Sequence, residues 1–301
     1  MTKMQAWVSA ARLRTLPLSI SGILFGSFYA YYLDKWDGLL FGLAMATTLL
    51  LQILSNFAND LGDTLKGADN EGRVGPQRSV QSGAISVKEM KGAVILFSVL
   101  SLATAIPLVI LGTKDLPATI LYTYIFLAVA CVIAAITYTM GKKAYGYNGL
   151  GDVFVFIFFG LVSTLGIFTL LAKSFDVLLI IPAIGIGLLS TAVLNLNNLR
   201  DHENDAKVGK NTIIVKMGYE KGKRHHYRLI SMAFFCFLTF FALQENAWMM
   251  IGLLPFALLM KHLNFVKKEE TPQNLDPELK KVALSTFLIC LLSSILFVLC
   301  R

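Results

Sequence analysis

Two short stretches hold most of the side chains that could do chemistry. The first runs Asn56-Phe57-Ala58-Asn59-Asp60-Leu61-Gly62-Asp63 and continues to Asp69; the second runs Asn197-Asn198-Leu199-Arg200-Asp201-His202-Glu203-Asn204-Asp205. On a helix, Asn56, Asp60 and Asp63 stand at i, i+4 and i+7 and share a face, and Asp201 and Asp205 share one at i, i+4. Carboxylates gathered this way repel one another unless a cation joins them. Oxygen donors in such small numbers suit Mg2+, which takes one or two carboxylates, keeps waters and bridges to substrate phosphates. Two facing clusters would clamp a diphosphate, and the same stretches supply cationic partners for it: Lys66, Arg73 and Arg78 in the first, Arg200, Lys207 and Lys210 in the second. A single Asp-x-x-Asp would read as the solvated rim of a membrane protein; two at matched positions favour a site.

Other residues carry weaker signals. Lys142 joins the candidates, although Lys142 and Lys143 also fit the flanking lysines expected after a span. Tyr138, Tyr145 and Tyr147 stand where an interfacial aromatic belt is the default; the alternative is a cavity wall whose ring faces shield a cationic intermediate. Asp152 opens an apolar run, where capping that helix is favoured over contact with a substrate. The four histidines and four cysteines show no ligand spacing, and the cysteines read as packing residues within apolar segments.

These residues need elements to hold them. The chain has 301 residues, of which 55% are hydrophobic and 15% charged, and a mean hydropathy of +0.64, which excludes an ordinary soluble domain. Nine apolar runs predict an all-α, nine-helix membrane protein in one domain: 16–33, 38–57, 92–111, 118–138, 153–171, 177–196, 229–243, 247–260 and 282–300. The seventh and eighth are short. The first follows Arg12 and Arg14 as a signal peptide would, but is read as a retained helix. The net charge of +8 could suggest nucleic acid. Placement argues against that partner. With a cytoplasmic N-terminus, every lysine and arginine except Lys35, Lys114, Lys173 and Arg301 falls on inside segments. The long loops are inside too, so the chemistry is expected at the cytoplasmic face. The two clusters recur about four spans apart, as in a parallel duplication, a pattern also found in transporters. A transporter would place its ionisable groups at the bilayer midplane, whereas these lie at the ends of apolar runs.

At these motifs the chain resembles the UbiA superfamily of intramembrane aromatic prenyltransferases. Its members carry an Asn/Asp-rich motif after the second helix and an Asp-x-x-x-Asp motif after the sixth, and the likeness covers nearly the whole chain. Arg12 with Thr15-Leu16-Pro17, Arg73 to Arg78, Tyr145-Gly146-Tyr147, Gly149 to Asp152, and Gly209, Lys210 and Thr212 extend it. The step of six residues from Asp63 to Asp69 is similar to the branch acting on 1,4-dihydroxy-2-naphthoate in menaquinone biosynthesis. Branches acting on 4-hydroxybenzoate usually have a step of four. The resemblance implies nine helices around a central cavity, with a polyprenyl tail directed toward lipid. It further implies Mg2+ held on the diphosphate by Asp60, Asp63, Asp201 and Asp205 with Asn56 or Asn59, while Asp69, Arg12 and the loop bases complete the cage.

Overall fold

The computed structural model describes residues 2–69, 74–75 and 77–301, and all regular structure among them is helical. A short helix α1 (Lys3–Ala11) precedes α2 (Leu16–Tyr32), α3 (Gly38–Leu65), α4 (Val87–Gly112) and α5 (Ala118–Thr137). Then come α6 (Gly151–Ala172), α7 (Val177–Lys207), the short α8 (Ile213–Met217), α9 (Tyr219–Ala242), α10 (Ala247–Lys268) and α11 (Pro272–Leu299). Each of the nine apolar runs coincides with one of the long helices, overrunning its end by no more than one residue. Their starts follow local rules: Ser86 caps α4 with Glu89 in a capping box, and Asp37 accepts from the Leu39 and Leu40 amides to start α3.

Among the described residues, seven helices (α3 to α7, α10 and α11) are long and apolar enough to cross a membrane. Length and composition thus support seven of the nine expected spans. The remaining two are α2, only 17 residues long, and α9, whose first half carries Glu220, Lys221, Lys223, Arg224 and Arg228.

Packing makes a ring. Residues of α2 through α7 and of α11 line a central cavity of ≈ 420 Å³; among the described residues α9 and α10 line none of it. They pack outside instead, α9 along α7 and α10 against α11. So the expected enclosure by nine helices becomes seven with a two-helix buttress. The buttress is fastened by aromatic side chains: Phe25 of α2 meets Phe237 and Phe240 of α9 edge-on at 5.9 and 5.6 Å, contacts worth ~0.5–1.5 kcal/mol each beyond burial. Between α6 and α7 the backbones nearly touch. A Cβ on Gly160 would lie 2.5 Å from the Gly187 Cα, so only glycine permits this approach. At the same point α6 loosens into a π turn over Phe156–Val162.

Candidate active site

Asn56, Asp60 and Asp63 occupy the last turns of α3 and are all buried, as are Asp201 and Asp205 on the last turns of α7. The two helix ends meet: Asn204 Nδ2 donates to the Ala68 carbonyl at 3.2 Å, and the amide of Asn211 donates to the Tyr147 carbonyl at 3.0 Å. Tyr147 and Lys210 join the clusters. The Tyr147 hydroxyl donates to Asp63 Oδ1 at 2.8 Å, Lys66 Nζ lies 4.0 Å from the centre of the Tyr147 ring, and Lys210 Nζ lies 3.8 Å from Asp205 Oδ1. Burial, and then the Asp63 charge, push the Tyr147 phenol above its ordinary value, so it remains a donor. Loss of hydration pulls the Lys66 ammonium down, with Asp63 opposing.

Each cluster carries its own arginine. Arg78 NH2 lies 2.8 Å from Asp63 and its Nε 3.1 Å from Asp69, while NH1 donates to the Asn59 carbonyl at 2.5 Å. Burial works against that guanidinium, but Asp63, Asp69 and Asp60 outweigh it and hold Arg78 protonated above the usual arginine value. Arg200 grips both oxygens of Asp201 (Nε at 2.9 Å, NH2 at 2.6 Å), donates to Asn197 Oδ1 at 2.9 Å and reaches Asp276 on α11. After this pairing Asp60 Oδ1 in the first cluster and Asp205 Oδ2 in the second are buried without a hydrogen-bond partner among the described residues. Each therefore offers a buried oxygen donor of the kind a divalent cation takes. Among the described residues no three acidic, histidine or cysteine side chains converge into a closed cage, which suits an ion completed by phosphate and water oxygens.

The central cavity begins at this polar end, lined by Arg12, Asn56, Asn59, Asp63, Arg78 and Lys210. It continues between apolar walls from α4, α5 and α6, among them Leu108, Leu127, Phe158 and Ile167. A second compartment of ≈ 360 Å³ adjoins it under α1, where Arg12, Arg14, Arg78, Arg200, Asn197 and Asp60 converge. Arg12 ends α1 in the left-handed region (φ 49°), which is uncommon for a residue with a side chain, and lines both compartments.

Other expectations are revised. Tyr138 and Tyr145 line the cavity and are not a lipid-facing belt; the Tyr145 ring stacks on Phe154 at 4.0 Å. Asp152 caps nothing: the cap position belongs to Leu150, and Asp152 Oδ2 points instead to His225 Nε2, 3.8 Å away. Lys142 sits in an exposed turn and Lys207 at the exposed end of α7, and neither pairs with a carboxylate among the described residues. Asn56 Nδ2 donates to the Ala11 carbonyl at 2.8 Å and Asn59 Oδ1 accepts from Thr139 at 3.4 Å, so both amides already have protein partners. Arg73 lies outside the described residues. Sequence reasoning missed Asp276, which contacts Arg200 of the second cluster from 76 residues away and has no motif around it.

A family model described as the UbiA prenyltransferase family matches residues 19–276. The chain belongs to that family. Within the UbiA prenyltransferases it is 43% identical to 1,4-dihydroxy-2-naphthoate octaprenyltransferase of Haemophilus influenzae over 97% of this chain and 96% of that one. It is 40% identical to the enzyme of the same name from Escherichia coli, over 99% and 95% of the two chains. Among solved structures, a UbiA homolog from Archaeoglobus fulgidus bound to DMAPP and Mg2+ superposes with a TM-score of 0.67 at 15% identity, covering 100% of both chains. At that identity the likeness speaks for the UbiA fold alone.

Proposed function

We propose that this protein transfers a polyprenyl group from a polyprenyl diphosphate to 1,4-dihydroxy-2-naphthoate at the cytoplasmic face of a membrane, with loss of CO2. The observation that carries this reading is a single cavity with a phosphate-type end and a long apolar remainder. The names of the relatives at 43% and 40% identity supply the acceptor, and the Mg2+ and DMAPP bound by the Archaeoglobus homolog support the donor class.

Arg78, Lys210 and Arg12, at the polar end of the cavity, can bind diphosphate oxygens, Arg78 through a planar fork suited to two at once, with Lys66 nearby over the Tyr147 ring. Asp60 and Asp205 would hold Mg2+, joined by Asp63, Asp69 and Asp201 as their arginines turn to phosphate, with Asn56 and Asn59 beside them. Bound there, Mg2+ neutralises charge developing on the departing diphosphate. The apolar walls take the hydrocarbon tail, and the Tyr145 and Tyr138 rings sit where a cationic allyl carbon needs a negative π face. When the allylic carbon–oxygen bond breaks, its electron pair leaves with diphosphate. The electron-rich acceptor ring then forms the new carbon–carbon bond, and its carboxylate departs as CO2. The product has the demethylmenaquinone skeleton at the quinol level.

Detergent-purified protein given Mg2+, a polyprenyl diphosphate and 1,4-dihydroxy-2-naphthoate should release CO2 in step with the prenylated product. Prenylation of 4-hydroxybenzoate or homogentisate in its place would move the chain to another branch of the family. Absence of turnover with all three acceptors would refute the reading.

A further inference from the structure

The Arg200 guanidinium is shared by two carboxylates of different helices. Its Nε and NH2 edge is taken by Asp201 of α7, whereas its NH1 faces Asp276 in the first turn of α11. Arg200 is buried, the Asp276 side chain is about one third exposed, and Asp276 lines the central cavity. In this arrangement Asp201 is occupied by the arginine. A cation drawn to Asp201 competes with that edge of Arg200 for its oxygens, and a buried guanidinium left with no carboxylate is costly.

We infer that Asp276 is a positioning residue for the transfer reaction. It keeps one arm of Arg200 neutralised while the other is released from Asp201 and turned toward the diphosphate. The inference rests on the proposed function, because it needs a metal and a diphosphate to arrive at this cluster. It assigns a role to a residue outside both Asp-rich motifs, near the start of α11 where that helix packs against α7. The first cluster differs: Arg78 is held by Asp63, Asp69 and the Asn59 carbonyl, all from one helix and the loop after it.

The test is binding of Mn2+ to the full-length protein in detergent in the presence of inorganic diphosphate, followed by the electron paramagnetic resonance signal of the free ion. Without the Asp276 charge, Arg200 has only Asp201 to balance it and holds Asp201 more firmly. Asp276→Asn should therefore raise the Mn2+ concentration for half-occupancy about five- to tenfold, the scale of one net hydrogen bond. The Mg2+ needed for half-maximal turnover should rise in parallel, with kcat at saturating Mg2+ changed little. Asp276→Glu should restore both toward wild type. Identical Mn2+ curves for wild type and Asp276→Asn, with only a lower unfolding midpoint, would reduce Asp276 to a structural contact and overturn the inference. Complete loss of Mn2+ binding would make Asp276 a ligand, which overturns it equally. Wild-type protein that binds no Mn2+ with diphosphate present would instead remove the functional reading, and the inference with it.

Discussion

Arg78 serves three oxygen partners of the first cluster at once, so its removal takes from Asp63 and Asp69 the guanidinium they share. Arg78→Ala should cost about 3–5 kcal/mol of stability, read from the unfolding midpoint in detergent. Arg78→Lys should recover only part of it, since one ammonium cannot reproduce a fork. The two carboxylates with a free oxygen should behave differently. Asp60→Asn and Asp205→Asn should keep the fold yet lower kcat by about a hundredfold or more, the scale of losing one preorganised electrostatic group at a reacting centre. Tyr147→Phe removes the hydrogen bond to Asp63, about 1 kcal/mol. Because the folded phenol sits above the ordinary tyrosine value, that contribution is intact below pH ~10 and fades only as pH rises through the folded value. The stability difference between Tyr147→Phe and wild type should thus stay flat from about pH 6 to 9. At this scale Asp60, Asp63, Asp201 and Asp205 were legible because helical spacing alone puts them on shared faces. Asp276 was not, because a contact between the ends of α7 and α11 leaves no periodic trace. The buried chain from Glu278 through His262 to His226 was invisible for the same reason: its members come from α11, α10 and α9.

At the level of helices, the α6–α7 contact is the most demanding. Gly160→Ala would press a methyl against the Gly187 Cα and the Ala183 carbonyl, backbone atoms that cannot rotate away, and should cost about 1–3 kcal/mol in thermal unfolding. It should also disturb α6 residues Phe158 and Val162, which wall the cavity, and so raise KM for the prenyl diphosphate more than KM for the acceptor. Apolar runs predicted where every long helix lies, since burial in lipid or core both require them. They did not predict that α9 and α10 stand outside the ring, because an apolar helix face looks alike whether it meets a neighbour, a cavity or lipid. The tyrosines show the same ambiguity: placement at a helix end suits a belt and a cavity wall equally, and only packing put Tyr138 and Tyr145 in the wall.

For the molecule as a whole, the charge asymmetry makes a topological prediction. In a background without the four native cysteines, Gln77→Cys and Lys221→Cys should react with an impermeant thiol reagent from one membrane face, and Asp34→Cys and Lys114→Cys from the other; all four positions are exposed. Labelling of Gln77→Cys and Lys221→Cys from opposite faces would contradict a shared site. One wall of the cavity has a further consequence. The α5 helix turns Tyr124, Leu127, Cys131 and Ala135 to the interior while Tyr122, Phe126, Val129 and Ile133 stay exposed on its other side. A single helix thus parts the binding space from the surrounding acyl chains. Lipophilic inhibitors would be concentrated in that phase before they bind, so their potency follows mole fraction in lipid or detergent rather than molarity in the assay buffer. Doubling the amphiphile at constant inhibitor should weaken the apparent inhibition, and ranking of compounds requires their partition coefficients alongside their IC50 values.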